Sequence, residues 1–549
     1  MLRKRRLMSF ININNGLQDH PLKTIKNPLS LSDLYEASAA MNRRGFIRLG
    51  AYAAVSMLAA CGGGGSDAPP PDPHPDGVSL TLAVQSAASG TAALDAHFAS
   101  LSFEKGDIND NYFRADNTNL IGLLNTLGGG VLRIGGNSVD RLTWAPNGPG
   151  QIRGQISRID VARFGACLKQ CPAWKVIYGI NFAGARGSVT SPSQAADEAL
   201  YVSQQLGGQL LAFEIGNEPD QYGDSRTPNL AGINYDIFLN GGTVAQGMIA
   251  GWNQFAQAIA GAVSGAVFSG PAAASDTPGW AESFAASHGR NIALLTEHYY
   301  ISNYNDNAPS IAGMLAYPDT NLVTALQNMR SAAQNAGVPF RMGETNSYFN
   351  STKPAGVSNV FASALWAIDF IFTHAQYGAS GLNFHNNGSI KSYTAIADSQ
   401  GEVTAVQPLY YALLFFSQIF AGGGAGQFLN TTLSASTAAV SAFAVATNQG
   451  ATYVIINNKD TASAANVTVT LDSQASRATV MTLASSGDAT GVQLANPGIY
   501  NGGTPITFGG QAVALNGAWN GTPQQTLAVA KQQVTVRVAP VSAALIRIR

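Results

Sequence analysis

Eight short apolar segments recur between about residues 96 and 415, separated by longer segments with helical periodicity. They start near Phe98, Gly130, Lys175, Gln209, Gly265, Ala293, Val338 and Ala379. Near-continuous apolar strands are expected where both faces of a sheet are buried, and alternation with helices is typical of βα units. The pattern predicts an α/β fold with a (β/α)8 TIM barrel over residues 96–420. A doubly wound sheet is the alternative.

The pattern changes after residue 421, where apolar and polar residues alternate with a period of two in short segments broken by Gly, Asn and Pro. Alternation of this kind is typical of half-buried β-strands. We therefore predict a C-terminal β-sandwich over residues 421–549. The early segment 78–95 contains a similar stretch, and we expect it to add an N-terminal strand to the sandwich.

The first 61 residues have the features of an export signal. Met41 begins a basic stretch with Arg43 and Arg44, followed by an apolar run that ends at Cys61. The run is shorter than the roughly 20 residues that span a bilayer. Arg43-Arg44 resembles a twin-arginine signal, and Leu58 to Cys61 resembles a bacterial lipobox with lipidation at Cys61. An ordinary signal peptide with a chance cysteine is the alternative.

These features predict an exported bacterial protein, located in the periplasm, at the cell surface or in the outer membrane as a lipoprotein. Residues 62–77 are rich in Gly, Pro and Asp and predict a flexible linker. Contact with a membrane is expected only through the N-terminal lipid anchor.

The charge composition excludes some classes of function. Lys plus Arg number 31 and Asp plus Glu 32, so the chain lacks the basic surplus of a nucleic-acid-binding protein. Beyond residue 60 there are 22 basic and 29 acidic residues, a net charge of −7. Cys167 and Cys171 are expected to pack in the core, with a disulfide as the alternative. The sequence shows neither His and Cys residues at the spacing of zinc ligands nor a glycine-rich phosphate loop after a strand, so it gives no support for a metal or a cofactor.

Two carboxylates follow predicted barrel strands, where the chemistry of such barrels is located. The fourth strand ends in Asn217-Glu218-Pro219 and the seventh in Gly343-Glu344. Paired carboxylates suit hydrolysis of a glycosidic bond, and a separation of roughly 5 to 5.5 Å gives retention of configuration. We predict Glu218 as the acid/base and Glu344 as the nucleophile, whose charge raises the pKa of its partner. The alternative is that Asn217-Glu218-Pro219 only caps a helix and that Glu344 is a carboxylate at the rim of the barrel without a catalytic role.

Other polar and aromatic residues follow the same strands. On the sixth strand, a period of two puts His298 and Tyr300 on one side and Tyr299 on the other, and a tyrosine hydroxyl there would hydrogen-bond the nucleophile. Gly135 and Gly136 after the second strand are expected to let the backbone approach a ligand. Four aromatic residues in loops are candidates to stack on a sugar, although any one of them is more often ordinary packing: Trp144, Tyr222, Phe349 and Tyr393.

An ordered set of motifs resembles the heparanase and β-glucuronidase family of retaining hydrolases, glycoside hydrolase family 79 of clan A. The motifs are LSFEKGDI at 101, VLRIGGNSVD at 131, FEIGNEP at 213, EHYY at 297, GETNS at 343, FASALWAIDF at 361 and QPLYYALLFF at 407. The resemblance implies Glu218 as acid/base and Glu344 as nucleophile. It also implies Asn217 on the 2-hydroxyl, Glu104 and Asn137 in the terminal sugar subsite, Tyr300 beside the nucleophile and Tyr393 facing a uronate carboxylate.

Some residues depart from the family pattern at positions that affect which sugar is recognised. Phe349 stands where the family usually has a tyrosine, with Tyr348 one position earlier, and Ser392 replaces a glycine before Tyr393. Tyr299 and Tyr348 complete the predicted substrate-binding residues.

We expect an oligo- or polysaccharide substrate with β-linked glucuronate. The acidic body favours exo-action over a heparanase-like endo-action on a sulfated polyanion. The alternatives are a β-xylosidase or β-glucosidase of the same clan, and a surface glycan-binding lipoprotein without turnover.

Overall fold

The computed structural model describes residues 77–549 apart from 185–189, 275–278, 304–308, 350–355, 435–438 and 487–491. Arg43, Arg44, Cys61 and nearly all of the predicted linker lie outside these residues, so export and lipidation stay predictions. Among the described helices, none is both long and apolar enough to cross a bilayer.

Eight parallel strands form a closed barrel in which each strand pairs with the next along the chain and the eighth pairs with the first. The strands are Ala99–Glu104, Gly130–Gly135, Trp174–Ile180, Leu210–Ile215, Phe268–Ala273, Leu294–Asn303, Phe340–Phe349 and Leu382–Asn386. Nearly all of their residues are buried, because helices cover the outside and side chains fill the inside. The predicted (β/α)8 barrel is confirmed. We refer to these strands as the first to the eighth barrel strand.

The α-helices surround the barrel and carry most of their apolar residues on the inner face. They are Gly106–Asn109, Thr118–Thr126, Arg158–Leu168, Pro192–Leu206, Tyr235–Asn240, Trp252–Ala262, Trp280–His288, Ile311–Met314, Thr320–Ala336, Ala362–Gln376 and Pro408–Ser417. Short 3₁₀ helices lie at Val139–Arg141, Gly207–Gln209, Pro219–Gln221, Pro228–Leu230, Gly289–Asn291, Val492–Ala495 and Ile499–Asn501. Ser157 and Ser191 begin two of the α-helices through capping boxes.

The described part of the second domain contains ten strands. They are Val78–Ala87, Gly426–Leu433, Val440–Thr447, Thr452–Asn458, Ala465–Leu471, Arg477–Ser485, Ile506–Phe508, Gln525–Ala528, Gln533–Val538 and Ser542–Ile548. Val78–Ala87 lies between Gly426–Leu433 and Ala465–Leu471, as predicted for an N-terminal strand. The strands share a core of small and β-branched residues, and hydrogen bonds join them into one continuous sheet, which the alternating pattern did not predict.

Three two-stranded sheets lie outside the barrel and the second domain. They are Thr143–Trp144 with Gln155–Ile156, Gly242–Val244 with Gly247–Ile249, and Ile396–Ser399 with Glu402–Val406.

A buried polar cluster joins the barrel to the second domain. Asp369 on helix Ala362–Gln376 accepts hydrogen bonds from Lys459, Ser441 and Asn457 of the second domain. Removing Lys459 or Asp369 would leave a buried charge without its partner, so this ion pair helps to fix how the helix sits on the sheet.

Cys167 and Cys171 are buried and do not form a disulfide. Burial raises the pKa of the Cys167 thiol to about 12 and that of Cys171 to about 11. Thiols in this state are unreactive, which agrees with the predicted packing role.

Candidate active site

Glu218 follows the fourth barrel strand with an unusual backbone conformation. Its φ is +50° and its ψ +56°, in the left-handed region that residues other than glycine seldom adopt. The Glu218 amide donates to the Ala272 carbonyl of the fifth strand at 2.9 Å, which holds this turn in place. A strained residue of this kind costs of the order of 1–3 kcal/mol and is most often found at functional sites.

Glu344 lies inside the seventh barrel strand, which continues beyond it to Phe349. It is buried, and His298 of the sixth strand lies opposite it in the sheet register. One carboxylate oxygen of Glu218, one of Glu344 and a ring nitrogen of His298 all lie within 4.8 Å of one another. The two predicted carboxylates therefore meet in one site, although they are 126 residues apart in the chain. Their spacing agrees with the short separation of retaining glycosidases.

Arg133 of the second strand holds three side chains of this site through its guanidinium group. Nε donates to Glu214 Oε2 at 2.5 Å, Nη1 to Glu344 Oε2 at 2.7 Å and Nη2 to Asn217 Oδ1 at 2.9 Å. Arg133 is fully buried. Burial alone would lower its pKa, but the charges of Glu214 and Glu344 outweigh burial and raise it. Arg133 therefore keeps its charge and aligns the nucleophile candidate.

The surroundings of Glu344 favour its ionised form. Burial would raise the pKa of Glu344, but the electrostatic effects of His385, His298 and Arg133 outweigh it. Tyr300 also donates a hydrogen bond to Glu344 Oε1 at 2.9 Å. The pKa of Glu344 consequently lies well below its ordinary value of 4.5. A carboxylate held ionised in this way is suited to act as a nucleophile.

Glu218 is held by contacts from two sides. His298 Nδ1 lies 3.2 Å from Glu218 Oε1, and Arg226 Nη1 donates to Oε2 at 3.0 Å. Burial and the charge of Glu344 raise the pKa of Glu218, whereas His298 and Arg226 lower it and outweigh them. The raised pKa predicted for the acid/base is thus not found, because His298 and Arg226 oppose the effects of burial and of Glu344.

Glu104 of the first strand lies beside the turn that follows the second strand. It accepts backbone hydrogen bonds from Asn137 at 3.2 Å and from Ser138 at 2.7 Å. His385 of the eighth strand lies between Glu104 and Glu344, with its nitrogens 3.8 Å and 3.7 Å from the two carboxylates. The structure therefore brings Glu104 and Asn137 to the same site as the carboxylate pair.

The two glycines after the second strand lie against two side chains of the site. A Cβ on Gly135 would lie 2.5 Å from Arg133 Cζ, and a Cβ on Gly136, where φ is +72°, would lie 2.6 Å from the Glu104 carboxylate. These distances are too short for real atoms. The missing side chains therefore make room for Arg133 and Glu104, and the approach of a ligand to this backbone stays a prediction.

Asn217 is buried beside the acid/base candidate and has its amide oxygen occupied by Arg133. Its backbone amide donates to Asp140 Oδ2 at 3.2 Å, and Asp140 also accepts from the Tyr222 hydroxyl at 2.6 Å. Tyr222 stacks on Phe182 with ring centroids 5.8 Å apart. Tyr222 thus supports the turn at Asn217 through Asp140, and its ring packs on Phe182 instead of stacking on a sugar.

Aromatic rings form one side of the site. Tyr300 packs against Phe349 with centroids 5.5 Å apart and against Tyr393 with centroids 5.9 Å apart. The Tyr393 hydroxyl has hydrogen-bonding contacts with Tyr300 and Asn387. Phe349 is 37% exposed, so it presents an apolar ring where the related family usually has a tyrosine.

Tyr299 and Tyr348 lie away from the carboxylate pair, which corrects their predicted place in the substrate site. Tyr299 donates to Asp319 at 2.7 Å and lies against Phe370 of an outer helix. The Tyr348 hydroxyl lies next to Gly313. Tyr299 points out of the barrel because neighbouring residues of a strand face opposite sides, whereas Tyr348 departs from the alternation that begins at Glu344. Trp144 also packs outside, donating to Asp197 at 2.6 Å.

Several residues of the site were not predicted as functional from the sequence. They are Arg133, Asp140, Glu214, Arg226, His298 in its contact with Glu218, and His385. A signal did exist for some of them, since Arg133, Glu214 and His385 are charged or polar residues inside apolar strands. Buried charges in such positions need partners, and the barrel interior supplies them.

Glu218, His298 and Glu344 are also close enough to share a metal ion. The positive charge of Arg133, 2.7 Å from Glu344 Oε2, would repel a cation there. The arrangement therefore suits acid/base and nucleophilic chemistry better than metal binding.

No protein-family model matches the chain. It is 26% identical over 316 residues to a β-glucuronidase of Neurospora crassa, covering 51% of this chain and 54% of that protein. It is also 26% identical over 304 residues to a β-glucuronidase of Aspergillus niger, covering 52% of this chain and 54% of that protein. The alignments thus span about half the length of the curated relatives.

Solved structures share the fold. A 4-O-α-L-rhamnosyl-β-D-glucuronidase from Fusarium oxysporum matches with a TM-score of 0.64 at 17% identity, over 85% of this chain and 100% of its own. An arabinofuranosidase from Xanthomonas axonopodis matches with a TM-score of 0.60 at 14% identity, over 86% of this chain and 99% of its own. The chain is therefore similar in sequence to β-glucuronidases, and in fold to a rhamnosyl-glucuronidase and an arabinofuranosidase.

Proposed function

We propose that this protein is a retaining glycoside hydrolase of the β-glucuronidase type, belonging to glycoside hydrolase family 79. The observation that carries the proposal is the meeting of Glu218 and Glu344, with oxygens within 4.8 Å, at the mouth of a closed barrel. Similarity to two fungal β-glucuronidases supports the sugar. Exo-action is favoured by the acidic body of the chain.

In the first step, Glu344 attacks the anomeric carbon and Glu218 gives a proton to the leaving oxygen. The bond from the anomeric carbon to that oxygen breaks as the bond to Glu344 forms. Arg133 and Tyr300 each bind one oxygen of Glu344, so the carboxylate is aligned before the substrate enters. This alignment removes part of the entropy cost of reaching the transition state.

In the second step, Glu218 accepts a proton from water, which attacks the anomeric carbon and releases Glu344. Formation of the ester with Glu344 removes one negative charge next to Glu218, so the pKa of Glu218 falls between the two steps. His298 and Arg226 also lower the pKa of Glu218, and so favour the ionised form that acts as the base in this step.

Contacts to the sugar follow from the free hydrogen-bonding groups. The Oδ1 atom of Asn217 is taken by Arg133, so its Nδ2 group is left to donate to the 2-hydroxyl. Glu104 offers acceptor capacity to sugar hydroxyls beside Asn137. The Tyr393 hydroxyl is the donor assigned to the uronate carboxylate by the family resemblance.

A second candidate is a hydrolase of neutral sugars with the same barrel and mechanism. Phe349 favours it, because this partly exposed ring packs on Tyr300 and offers no hydroxyl to a carboxylate. The similarity in fold to an arabinofuranosidase is consistent with this second candidate.

A panel of defined glycosides tests the proposal. The nitrophenyl β-glucuronide, β-glucoside and β-xyloside are compared by kcat/KM, and NMR follows the anomer that is released first. We expect the glucuronide to be the best substrate and the β-anomer to appear first. Preference for the glucoside or xyloside would favour the second candidate. Binding of glycans without hydrolysis of any member would instead support a glycan-binding protein.

Replacing Glu218 with alanine is expected to affect substrates according to their leaving groups. Glycosides with poor leaving groups should lose kcat/KM by roughly 10³-fold, because they need a proton in the transition state. Glycosides with an activated aryl group should lose far less in the first step, since their leaving group departs as an anion. Equal losses on both kinds of substrate would argue against the acid role.

We also propose that the enzyme acts outside the cytoplasm. The support is the sequence alone, through the basic pair at Arg43-Arg44 and the small-residue segment that ends at Cys61.

A further inference from the structure

Arg226 contacts the acid/base candidate from the loop that follows the fourth barrel strand. Its Nη1 atom donates both to Glu218 Oε2 at 3.0 Å and to Asn137 Oδ1 at 2.8 Å. Its Nε atom donates to Asp224 Oδ2 at 2.7 Å. The Arg226 side chain is 32% exposed, so it lies at the entrance of the site rather than in the core.

The two oxygens of Glu218 are therefore held by separate elements. His298 on the sixth strand contacts Oε1, and Arg226 on the loop contacts Oε2. The left-handed backbone at Glu218 fixes the start of the side chain, and these two contacts fix its end. An acid/base must point its oxygen at the glycosidic oxygen to within roughly 0.5 Å, so such support matters for the rate.

Asp224 balances the charge of Arg226. It accepts hydrogen bonds from the backbone amide and from Nε of Arg226, both at 2.7 Å. The charged or titratable groups facing Glu218 are His298 and Tyr300 from the sixth strand, Glu344 from the seventh and Arg226 from the loop. Arg226 has a counter-ion of its own, Asp224, which contacts neither Glu218 nor Glu344 in the described structure.

Resting on the proposed hydrolase function, we propose that Arg226 is a positioning residue for the acid/base. It fixes Glu218 through Oε2, ties it to Asn137 in the sugar subsite, and, with Asp224, sets the pH range in which Glu218 donates its proton. This assigns a purpose to the loop at residues 224–226, which the sequence motifs of the related family do not include.

Two substitutions with opposite expected signs test the proposal. The measurement is the pH dependence of kcat/KM for the best substrate of the glycoside panel that has a poor leaving group, because its basic limb reports the free enzyme's acid. Arg226→Gln removes a positive charge beside Glu218, so the basic limb should move up by roughly one pH unit. Asp224→Asn removes the balancing negative charge, so the limb should move down by roughly half a pH unit.

Two further variants serve as controls. Arg226→Lys keeps the positive charge but loses the planar guanidinium group with its several donors. The basic limb of its pH profile should therefore shift less from that of the parent than the limb of Arg226→Gln does. Arg290→Gln removes an exposed arginine before the sixth strand and should leave the profile unchanged.

The outcomes separate the two proposals. Opposite shifts in Arg226→Gln and Asp224→Asn support the role of Arg226. Unchanged limbs, or shifts of the same sign, with hydrolysis retained overturn that role and leave the hydrolase proposal standing. If Arg226→Gln does not fold, the shift of Asp224→Asn decides alone. A parent enzyme that hydrolyses no glycoside of the panel overturns the proposed function and this inference with it.

Discussion

Replacing Glu344 with glutamine is expected to lower kcat/KM by roughly 10⁴-fold or more on every substrate, activated aryl glycosides included. The amide cannot form the covalent bond to the anomeric carbon, and no leaving group compensates for that. This response differs from the one expected for Glu218, where activated substrates are spared. A kcat/KM within tenfold of the parent would show that Glu344 is not the nucleophile.

The loss of activity in Glu344→Gln identifies the nucleophile only if the variant keeps its fold. Glutamine has nearly the same shape, and its amide oxygen can still accept from Tyr300 or Arg133, which now contact the Glu344 oxygens at 2.9 and 2.7 Å. Thermal unfolding followed by circular dichroism should show a transition close to that of the parent. The control is Glu402→Gln, which makes the same chemical change at an exposed position.

A shorter side chain makes the assignment sharper. Glu344→Ala leaves space where the carboxylate was, and azide added to the solution can attack the anomeric carbon from the same side. The product should then be the α-glycosyl azide, because one displacement inverts the β-glycoside. Rescue of this kind at Glu218→Ala should instead give the β-glycosyl azide, since the nucleophile is still present. Finding the same anomer from both variants would contradict the assigned roles.

The barrel and the carboxylate pair could be predicted from the sequence because both depend on local patterns. Each barrel strand is buried on both faces, so each gives an uninterrupted apolar run that stands out from the helices. Glu218 and Glu344 interrupt or follow such runs, and the geometry of a closed parallel barrel brings these ends together. The fold class alone was therefore enough to predict that Glu218 and Glu344 lie close together.

The direction of individual side chains could not be predicted as well. A strict period of two would put Tyr348 on the same side as Glu344, yet Phe349 is the residue that contacts Tyr300. The register of the seventh strand shifts against both of its neighbours between residues 342 and 345. This shift comes before Glu344, and the register with the sixth strand is regular from Glu344 to Phe349, so it does not account for the reversed directions of Tyr348 and Phe349.

The charged residues inside the barrel were also beyond the sequence patterns. Arg133 lies in an apolar strand whose glycines suggested a ligand, but its partners Glu214, Asn217 and Glu344 come from two other strands. Partners so far apart in the chain become evident only once the strands close into a barrel. The sequence can indicate that a buried charge needs a partner, but not which partner it has.

Replacing Arg133 with glutamine is the other change with a large expected effect, on both stability and activity. Glu214 and Glu344 would be left as neighbouring buried carboxylates without their shared positive charge, which should destabilise the fold by about 3–5 kcal/mol. The pKa of Glu344 should rise, because one of the charges that lower it is lost. The acidic limb of kcat/KM should therefore move to higher pH, measured beside urea unfolding.

A second substitution separates the two roles of Arg133. Adding Glu214→Gln to Arg133→Gln removes one of the unpaired buried charges, so stability should recover by roughly 1–3 kcal/mol. Activity should stay low, since Glu344 still lacks the donor that binds its Oε2 atom. If kcat/KM instead recovered together with stability, Arg133 would act on the reaction only by maintaining the fold. If it stays low in a stable double variant, the alignment of Glu344 by Arg133 is itself part of the chemistry.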